Sequence, residues 1–223
     1  MMATPMLSAV FGALLCGLLV RVARGWSKRL LRDATCAYGG LSKVPRMRWA
    51  MPCFVVWFVS ATVALMLLLQ DCPVTLVFWL AWLANLGLLG LIDARTGLLP
   101  NGLTLWMMLS GLAWQAGLTE GWLPPQNHLW GCVLGWAVPY GLNVAHERWR
   151  GTLALGEGDA KLMAGIGAWL GLDALPLVWL LACLGVLVYT AAEWAVERRR
   201  PLYVVFGPFL AFGASATMFM NHV

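Results

Sequence analysis

Long apolar runs recur along almost the whole chain, separated by short polar connections. The runs lie near residues 4–22, 52–70, 74–92, 102–118, 128–145, 161–171, 174–192 and 203–220. A stretch of about 20 apolar residues suits a bilayer, because a helix satisfies its own backbone hydrogen bonds where water is absent. With 61% hydrophobic and 11% charged residues, the chain has too little polar surface for a water-soluble domain. The pattern predicts an all-α, polytopic membrane helical bundle with about eight transmembrane segments.

The sixth run differs from the others in length. Residues 161–171 are too few to cross the hydrocarbon core of a bilayer alone. We expect this segment to include part of the glycine-rich stretch before it, or to tilt into a thin or protein-lined region of the membrane.

All lysines and arginines fall on one face of the membrane if the N-terminus is periplasmic. These fifteen residues are Arg21, Arg24, Lys28, Arg29, Arg32, Lys43, Arg46, Arg48, Arg95, Arg148, Arg150, Lys161, Arg198, Arg199 and Arg200. The opposite connections, at 71–73, 119–127 and 171–173, carry acidic but no basic side chains. Because cytoplasmic loops are enriched in Lys and Arg, this distribution predicts the orientation. The net charge of +5 is then explained by basic loops at one face of the lipid bilayer, which is the partner we expect. No nucleic-acid partner is needed to account for it.

Two aspartates lie at the predicted cytoplasmic ends of their segments. Asp93 ends the third run in "LGLIDARTGLLPNGLT", and Asp159 precedes the sixth in "GEGDAKL". A carboxylate near lipid is costly and usually functional, and two that share one membrane face can meet. A close pair shares one proton and titrates as a unit. Such a pair can activate water against a peptide bond, as in aspartic proteolysis.

The neighbours of Asp159 also carry predictions. Gly156 and Gly158 leave space beside the carboxyl, so we expect a substrate backbone to approach here and the glycines to adopt φ values closed to other residues. Lys161 is predicted to bind a substrate carbonyl or to compensate charge, with snorkelling to the headgroups as the alternative. Purely structural alternatives exist for the aspartates as well. Asp93 would then mark a helix end, and Asp159 would be the N-cap of the sixth segment.

These residues resemble the type IV prepilin peptidases, the GxGD-type membrane aspartic proteases of bacteria. The similarity rests on "IDARTGLLPNGLT", on "GEGDAKLMAGIGAWLG" and on "VVFGPFLAFGA" at 204–214, which follow one another in the family's order. The resemblance implies that Asp93 and Asp159 are the catalytic pair of an endopeptidase. It also implies a substrate, the short basic leader of a type IV prepilin or a type II secretion pseudopilin, cut after a glycine on the cytoplasmic side of the bacterial inner membrane.

The chain departs from the family in two places. Asn101 follows Leu-Pro where the family often has an acid, and we assign it a turn or capping role. Bifunctional members carry paired C-x-x-C motifs in the first loop, associated with metal binding and N-methylation. Here the loop from 22 to 51 has Cys36 and no His, fewer than the four ligands of a zinc site. We therefore expect no metal or cofactor and doubt methyltransferase activity.

The sequence thus predicts two parts. Residues 1–51 form an anchor helix and a short basic loop, a degenerate methyltransferase region, and residues 52–223 form a membrane-embedded peptidase domain. Two other functions stay open. A proton or cation path would need ionisable groups at several depths, whereas the runs are almost free of them. The second alternative function is that of a catalytically degenerate subunit of a pilus or secretion assembly. Against it, both aspartates and the GxGD glycines are present.

Overall fold

The computed structural model describes residues 73–118, 124–151, 155–197 and 204–222, with single residues and short stretches between 18 and 63. The helices with defined bounds are α1 (Pro73–Thr96), α2 (Asn101–Leu118), α3 (Gln126–Arg150), α4 (Glu157–Leu170), α5 (Leu175–Glu197) and α6 (Gly207–His222). No strand occurs among the described residues, which confirms the all-α prediction. Most of the first basic loop, Cys36 and Arg198 to Arg200 lie outside them.

Two of the described helices are long and apolar enough to cross a membrane. They are Thr75–Thr96 in α1 and Leu175–Val196 in α5. The two helices differ in their surroundings. Half of the apolar stretch of α1 is buried inside the protein, but only 17% of the apolar stretch of α5 is buried. Large apolar side chains such as Leu187, Val188 and Val196 are exposed on α5, as expected of a helix that faces lipid. The count of eight segments stays a prediction.

The chain forms two compact units, Met1–Leu98 and Leu99–Val223. This geometric division differs from the predicted functional boundary between residues 51 and 52, which stays a prediction. In the first unit, α1 buries Trp82, Leu86 and Leu89. Gly97 ends the helix with a φ of 64°, and its N–H donates to the carbonyl of Asp93 at 2.7 Å. Only glycine adopts this left-handed φ without strain.

The core of the second unit is built around α4, the shortest of these helices. It has 14 residues, and those from Asp159 to Trp169 are buried except for Lys161. Helices α2, α3, α5 and α6 all pack against it. Its apolar side chains therefore meet protein on every side, which explains how so short a segment satisfies its hydrophobic surface.

Helices α3 and α4 are in contact through their backbones. A Cβ at Gly131 would lie 2.5 Å from the carbonyl oxygen of Gly167, and a Cβ at Gly135 would lie 2.7 Å from that of Met163. The residues that α3 buries are Gly131, Gly135, Pro139 and Asn143. They recur every four residues and form one stripe along the helix. Small residues in such a stripe let two helices in a membrane approach closely.

Candidate active site

Asp159 is the third residue of α4, and its carboxyl turns back to the start of the helix. Gly156 is the N-cap, in an extended conformation. The N–H of Asp159 donates to the carbonyl of Gly156 at 3.1 Å. Oδ2 of Asp159 lies 3.2 Å from the position that a Cβ of Gly156 would take, so the carboxyl lies beside the backbone of the N-cap residue. The N-cap itself is Gly156, so the alternative prediction that Asp159 fills that position is wrong.

The carboxyl of Asp159 is buried and only partly hydrogen-bonded. Its side chain is 7% exposed, and Oδ1 is buried without a hydrogen-bond partner among the described residues. Asp159 lies ahead of the predicted membrane segment. Burial raises its pKa to about 7, against the opposing effect of the Gly156 N–H, which lowers it. An unpaired buried oxygen on a carboxyl that titrates near neutrality is equipped to exchange a proton with a substrate or water.

Asp159→Asn should stabilise the protein at neutral and alkaline pH. The folded state holds a proton on this carboxyl between the ordinary pKa of 3.8 and about 7, and the unfolded state has released it. The free energy of unfolding of the wild type therefore falls as the pH rises through this window and stays low above it. Asn carries no such cost. We expect a higher melting temperature in detergent at about pH 8 and little difference at about pH 4. An equal difference at both values would contradict the burial of an ionisable carboxyl here.

The prediction of unusual φ values for the glycines beside Asp159 is wrong. Neither Gly156 nor Gly158 has a positive φ, so conformational freedom is not their role. A Cβ at Gly158 would lie 2.8 Å from the Cβ of Leu99, and a Cβ at Gly156 would lie 3.2 Å from Oδ2 of Asp159. The space beside Gly158 is therefore filled by Leu99, and the space beside Gly156 is taken by the carboxyl itself. Substrate contact at the two glycines stays a prediction.

Lys161 joins the start of α4 to the start of α2. Its Nζ donates to Oδ1 of Asn101 at 2.9 Å in an exposed position. Together with the contact of Leu99 on Gly158, this bond fixes the "LLPN" stretch against the first turn of α4. The side-chain partner of Asn101 was not foreseen, because two residues so far apart in sequence give no signal of contact.

An open groove of about 490 Å³ begins beside Lys161. It lies among α2, α3 and α4 and is lined by Asn101, Thr104, Leu105, Met108, Cys132, Val133, Trp136, Lys161 and Ala164. The walls are mainly apolar, and the ammonium group of Lys161 is their one charge. A groove of this character accepts an apolar chain that carries polar groups at one end.

Two asparagines of α3 bind the connections on either side of α4. Asn143, 4% exposed, donates from Nδ2 to the carbonyl of Leu155 and accepts at Oδ1 from the N–H of Leu155, both at 2.7 Å. At the other end, Oδ1 of Asn127 accepts from the N–H of Leu172 at 3.0 Å, and Nδ2 donates to Asp173 at 3.0 Å. Asn143 was not predicted from the sequence; its polar side chain inside the apolar run 128–145 is the signal that could have identified it.

Asp93 lies in the first unit, in the last turn of α1. This position agrees with the alternative that it marks a helix end, and the residue is 4% exposed, so it is buried in protein there. The structure brings Asp159 together with Gly156, Gly158 and Lys161 at the start of α4. The closeness of Asp93 to this group stays a prediction.

The model of the Type IV leader peptidase family matches residues 77–191, which include both aspartates. Three relatives carry the name "Prepilin leader peptidase/N-methyltransferase". The relative from Escherichia coli (strain K12) is 37% identical over 131 residues, covering 56% of this chain and 55% of its own. That from Burkholderia pseudomallei (strain 1026b) is 37% identical over 131 residues, covering 58% and 42%. That from Pectobacterium carotovorum subsp. carotovorum is 38% identical over 142 residues, covering 62% and 50%.

The chain thus spans about half the length of the curated relatives that it matches. No solved structure gives a significant match.

Proposed function

The chain belongs to the type IV leader peptidase family, and on this basis we propose that it is a membrane aspartic endopeptidase. Its substrate is the short basic leader of a type IV prepilin or a type II secretion pseudopilin, which it cuts after a glycine. The peptidase domain comprises residues 52–223, and residues 1–51 form the anchor and basic loop ahead of it. Asp93 and Asp159 are the catalytic pair.

One observation carries the proposal. Among the residues that the structure describes, Asp93 and Asp159 are the two whose ionisable side chains are buried. Each belongs to a different motif of the family's matched region. A buried carboxyl lowers the stability of the fold. A protein that buries one carboxyl in each of the two motifs is expected to do so because its chemistry requires both groups. A proton or cation path would call for buried ionisable groups at further depths, and the described residues offer no others.

The proposed reaction needs one ionised and one protonated carboxyl. The ionised member takes a proton from a water molecule, and the oxygen of that water attacks the carbonyl carbon of the scissile bond. The protonated member donates a hydrogen bond to the carbonyl oxygen. The tetrahedral intermediate then collapses and the C–N bond breaks. The leaving amine takes the proton that the first carboxyl removed from the water, which restores that carboxyl to its ionised form. Because burial raises the pKa of Asp159 to about 7, this carboxyl is available in both forms at neutral pH.

We place the site at the cytoplasmic face of the inner membrane. Arg148 and Arg150 lie in the last turn of α3, and Asn143 near the same end binds Leu155, just before α4. The start of α4, with Asp159, is therefore at the basic end of α3. The other end of this helix pair carries Asp173, bound by Asn127, and no basic residue in the connection. Basic ends face the cytoplasm under the positive-inside rule.

Lys161→Ala should raise KM and leave kcat nearly unchanged. The ammonium group at the mouth of the groove would bind a backbone carbonyl of the substrate, and an exposed charge contributes at most about 1 kcal/mol, or about fivefold in KM. Kinetics of leader removal in detergent measure this effect. Asn101→Ala, which frees Lys161 from its partner but keeps the charge, is the matched control. If both variants raise KM equally, the role of Lys161 is to position α2 through Asn101. If neither variant changes KM, Lys161 is a snorkelling residue.

The proposed activity is peptidase alone, since the loop 22–51 offers one Cys and no His as ligands for a metal site. Membranes carrying the wild-type chain, incubated with a model prepilin and analysed by mass spectrometry, test both parts of the proposal. We expect a product that begins directly after the leader glycine and has an unmodified amine. An added methyl group would establish the transferase activity, and an intact substrate, across prepilins and pseudopilins, would remove the peptidase.

A further inference from the structure

The carboxyl of Asp159 is held through the main chain of the residues before it. The N–H of Asp159 donates to the carbonyl of Gly156 at 3.1 Å, and a Cβ at Gly156 would lie 3.2 Å from Oδ2 of Asp159, so the position of the carboxyl depends on where Gly156 lies. Asn143 forms hydrogen bonds with both the N–H and the carbonyl of the neighbouring residue Leu155, at 2.7 Å each. A single peptide link thus separates the residue that Asn143 holds from the residue that holds Asp159.

Asn143 is well placed to fix the backbone of Leu155. Asn143 satisfies both the donor and the acceptor of one residue, as a neighbouring strand would. It is 4% exposed and ends the stripe through which α3 packs closely on α4. A buried side chain on a rigid helix is a precise support for a loop that carries a functional group.

Resting on the proposed function, we propose that Asn143 is a positioning residue for the proteolytic reaction. It holds Leu155 and Gly156 so that the carboxyl of Asp159 points at the scissile bond. In this role it acts through the backbone of the GxGD turn rather than by contact with the substrate. Misplacement of a reacting group by about 1 Å can cost about a hundredfold in rate, so the support of this turn governs kcat rather than substrate affinity.

The chain supplies its own control at the other end of α4. Asn127 lies on the same helix α3, binds the backbone of Leu172 and the side chain of Asp173, and lies at the end of α4 away from Asp159. Asn127→Ala and Asn143→Ala each remove a side chain that ties α3 to a connection of α4. A purely structural role predicts similar losses of activity from the two, whereas a positioning role separates them.

The experiment compares wild type, Asn143→Ala and Asn127→Ala in detergent, using a model prepilin as substrate. We expect Asn143→Ala to lower kcat by about tenfold to a hundredfold with KM within about twofold, and Asn127→Ala to keep the wild-type kcat. Hydrogen–deuterium exchange of the peptide covering 155–159 is measured in parallel. It should become faster in Asn143→Ala alone.

Each outcome decides the proposal. A wild-type kcat in folded Asn143→Ala, or equal losses in both variants, overturns it. A parallel rise of KM also overturns it, because it would place Asn143 in substrate binding. If the wild type cleaves no prepilin, the proposed function fails, and exchange alone decides whether Asn143 holds the turn. Unchanged exchange in Asn143→Ala removes the holding role whatever the activity.

Discussion

Asp159→Asn should reduce prepilin cleavage by about three orders of magnitude or more. The amide that replaces the carboxyl neither releases nor takes up a proton at neutral pH, so it removes one of the two groups on which the proposed general acid–base catalysis depends. The amide is uncharged, so the cost of burying a charge also disappears. The variant should therefore be at least as stable as the wild type, which separates loss of chemistry from loss of fold.

Glu157→Gln is the matched control for this substitution. Glu157 is also an acidic residue of the first turn of α4 but is exposed, so its replacement by the amide should leave the rate within about twofold. Asp93→Asn should reproduce the effect of Asp159→Asn, since both members of the pair are needed. Cleavage is followed by mass spectrometry in membranes at matched expression. Survival of activity in either aspartate variant would rule out the aspartic mechanism.

Gly167→Ala should have the largest effect on the fold. Its Cβ would overlap the backbone carbonyl of Gly131 on the facing helix, and backbone atoms cannot turn aside as a flexible side chain can. Helices α3 and α4 would have to separate, with loss of their contact and a destabilisation on the order of 3 kcal/mol. Thermal unfolding in detergent and susceptibility to proteolysis measure this loss.

Gly141→Ala provides the comparison on α3. A Cβ at Gly141 meets nothing within 4 Å, so the substitution should be neutral or stabilise the helix by up to about 1 kcal/mol. We therefore expect Gly167→Ala to lower the melting temperature. Gly141→Ala should raise it or leave it unchanged. A Gly167→Ala protein as stable as the wild type would contradict the backbone contact between α3 and α4.

The apolar pattern predicted the helices of the described region well, and the exceptions have physical causes. The run 174–192 corresponds to α5 and the run 102–118 to α2. α4 begins at Glu157 rather than at residue 161, because its first turn carries charged side chains that interrupt the hydrophobic run without breaking the helix. Hydropathy reports where a helix meets lipid or protein, and capping decides where it starts.

The sequence offered the candidate site as a set of residues and not as an arrangement. Motif similarity identified Asp93 and Asp159, and the family comparison confirmed the membership on which that choice depends. The contact of Leu99 on Gly158 and the grip of Asn143 on Leu155 follow from tertiary packing. A single sequence carries no record of such pairs. Glycine spacing indicated close approach correctly, but it could not say whether a substrate or a neighbouring side chain fills the space.

The shortness of α4 has a consequence for biosynthesis. Its 14 residues extend about 21 Å, less than the hydrocarbon core of about 30 Å, so the segment gains too little from lipid to partition from the translocon as an autonomous span. It has to be received by α2 and α3, which are synthesised before it, while α6, which also packs on it, is synthesised after it. The packing around α4 is therefore completed only once α6 has been made, and we expect a nascent chain that lacks α6 to have no protease activity.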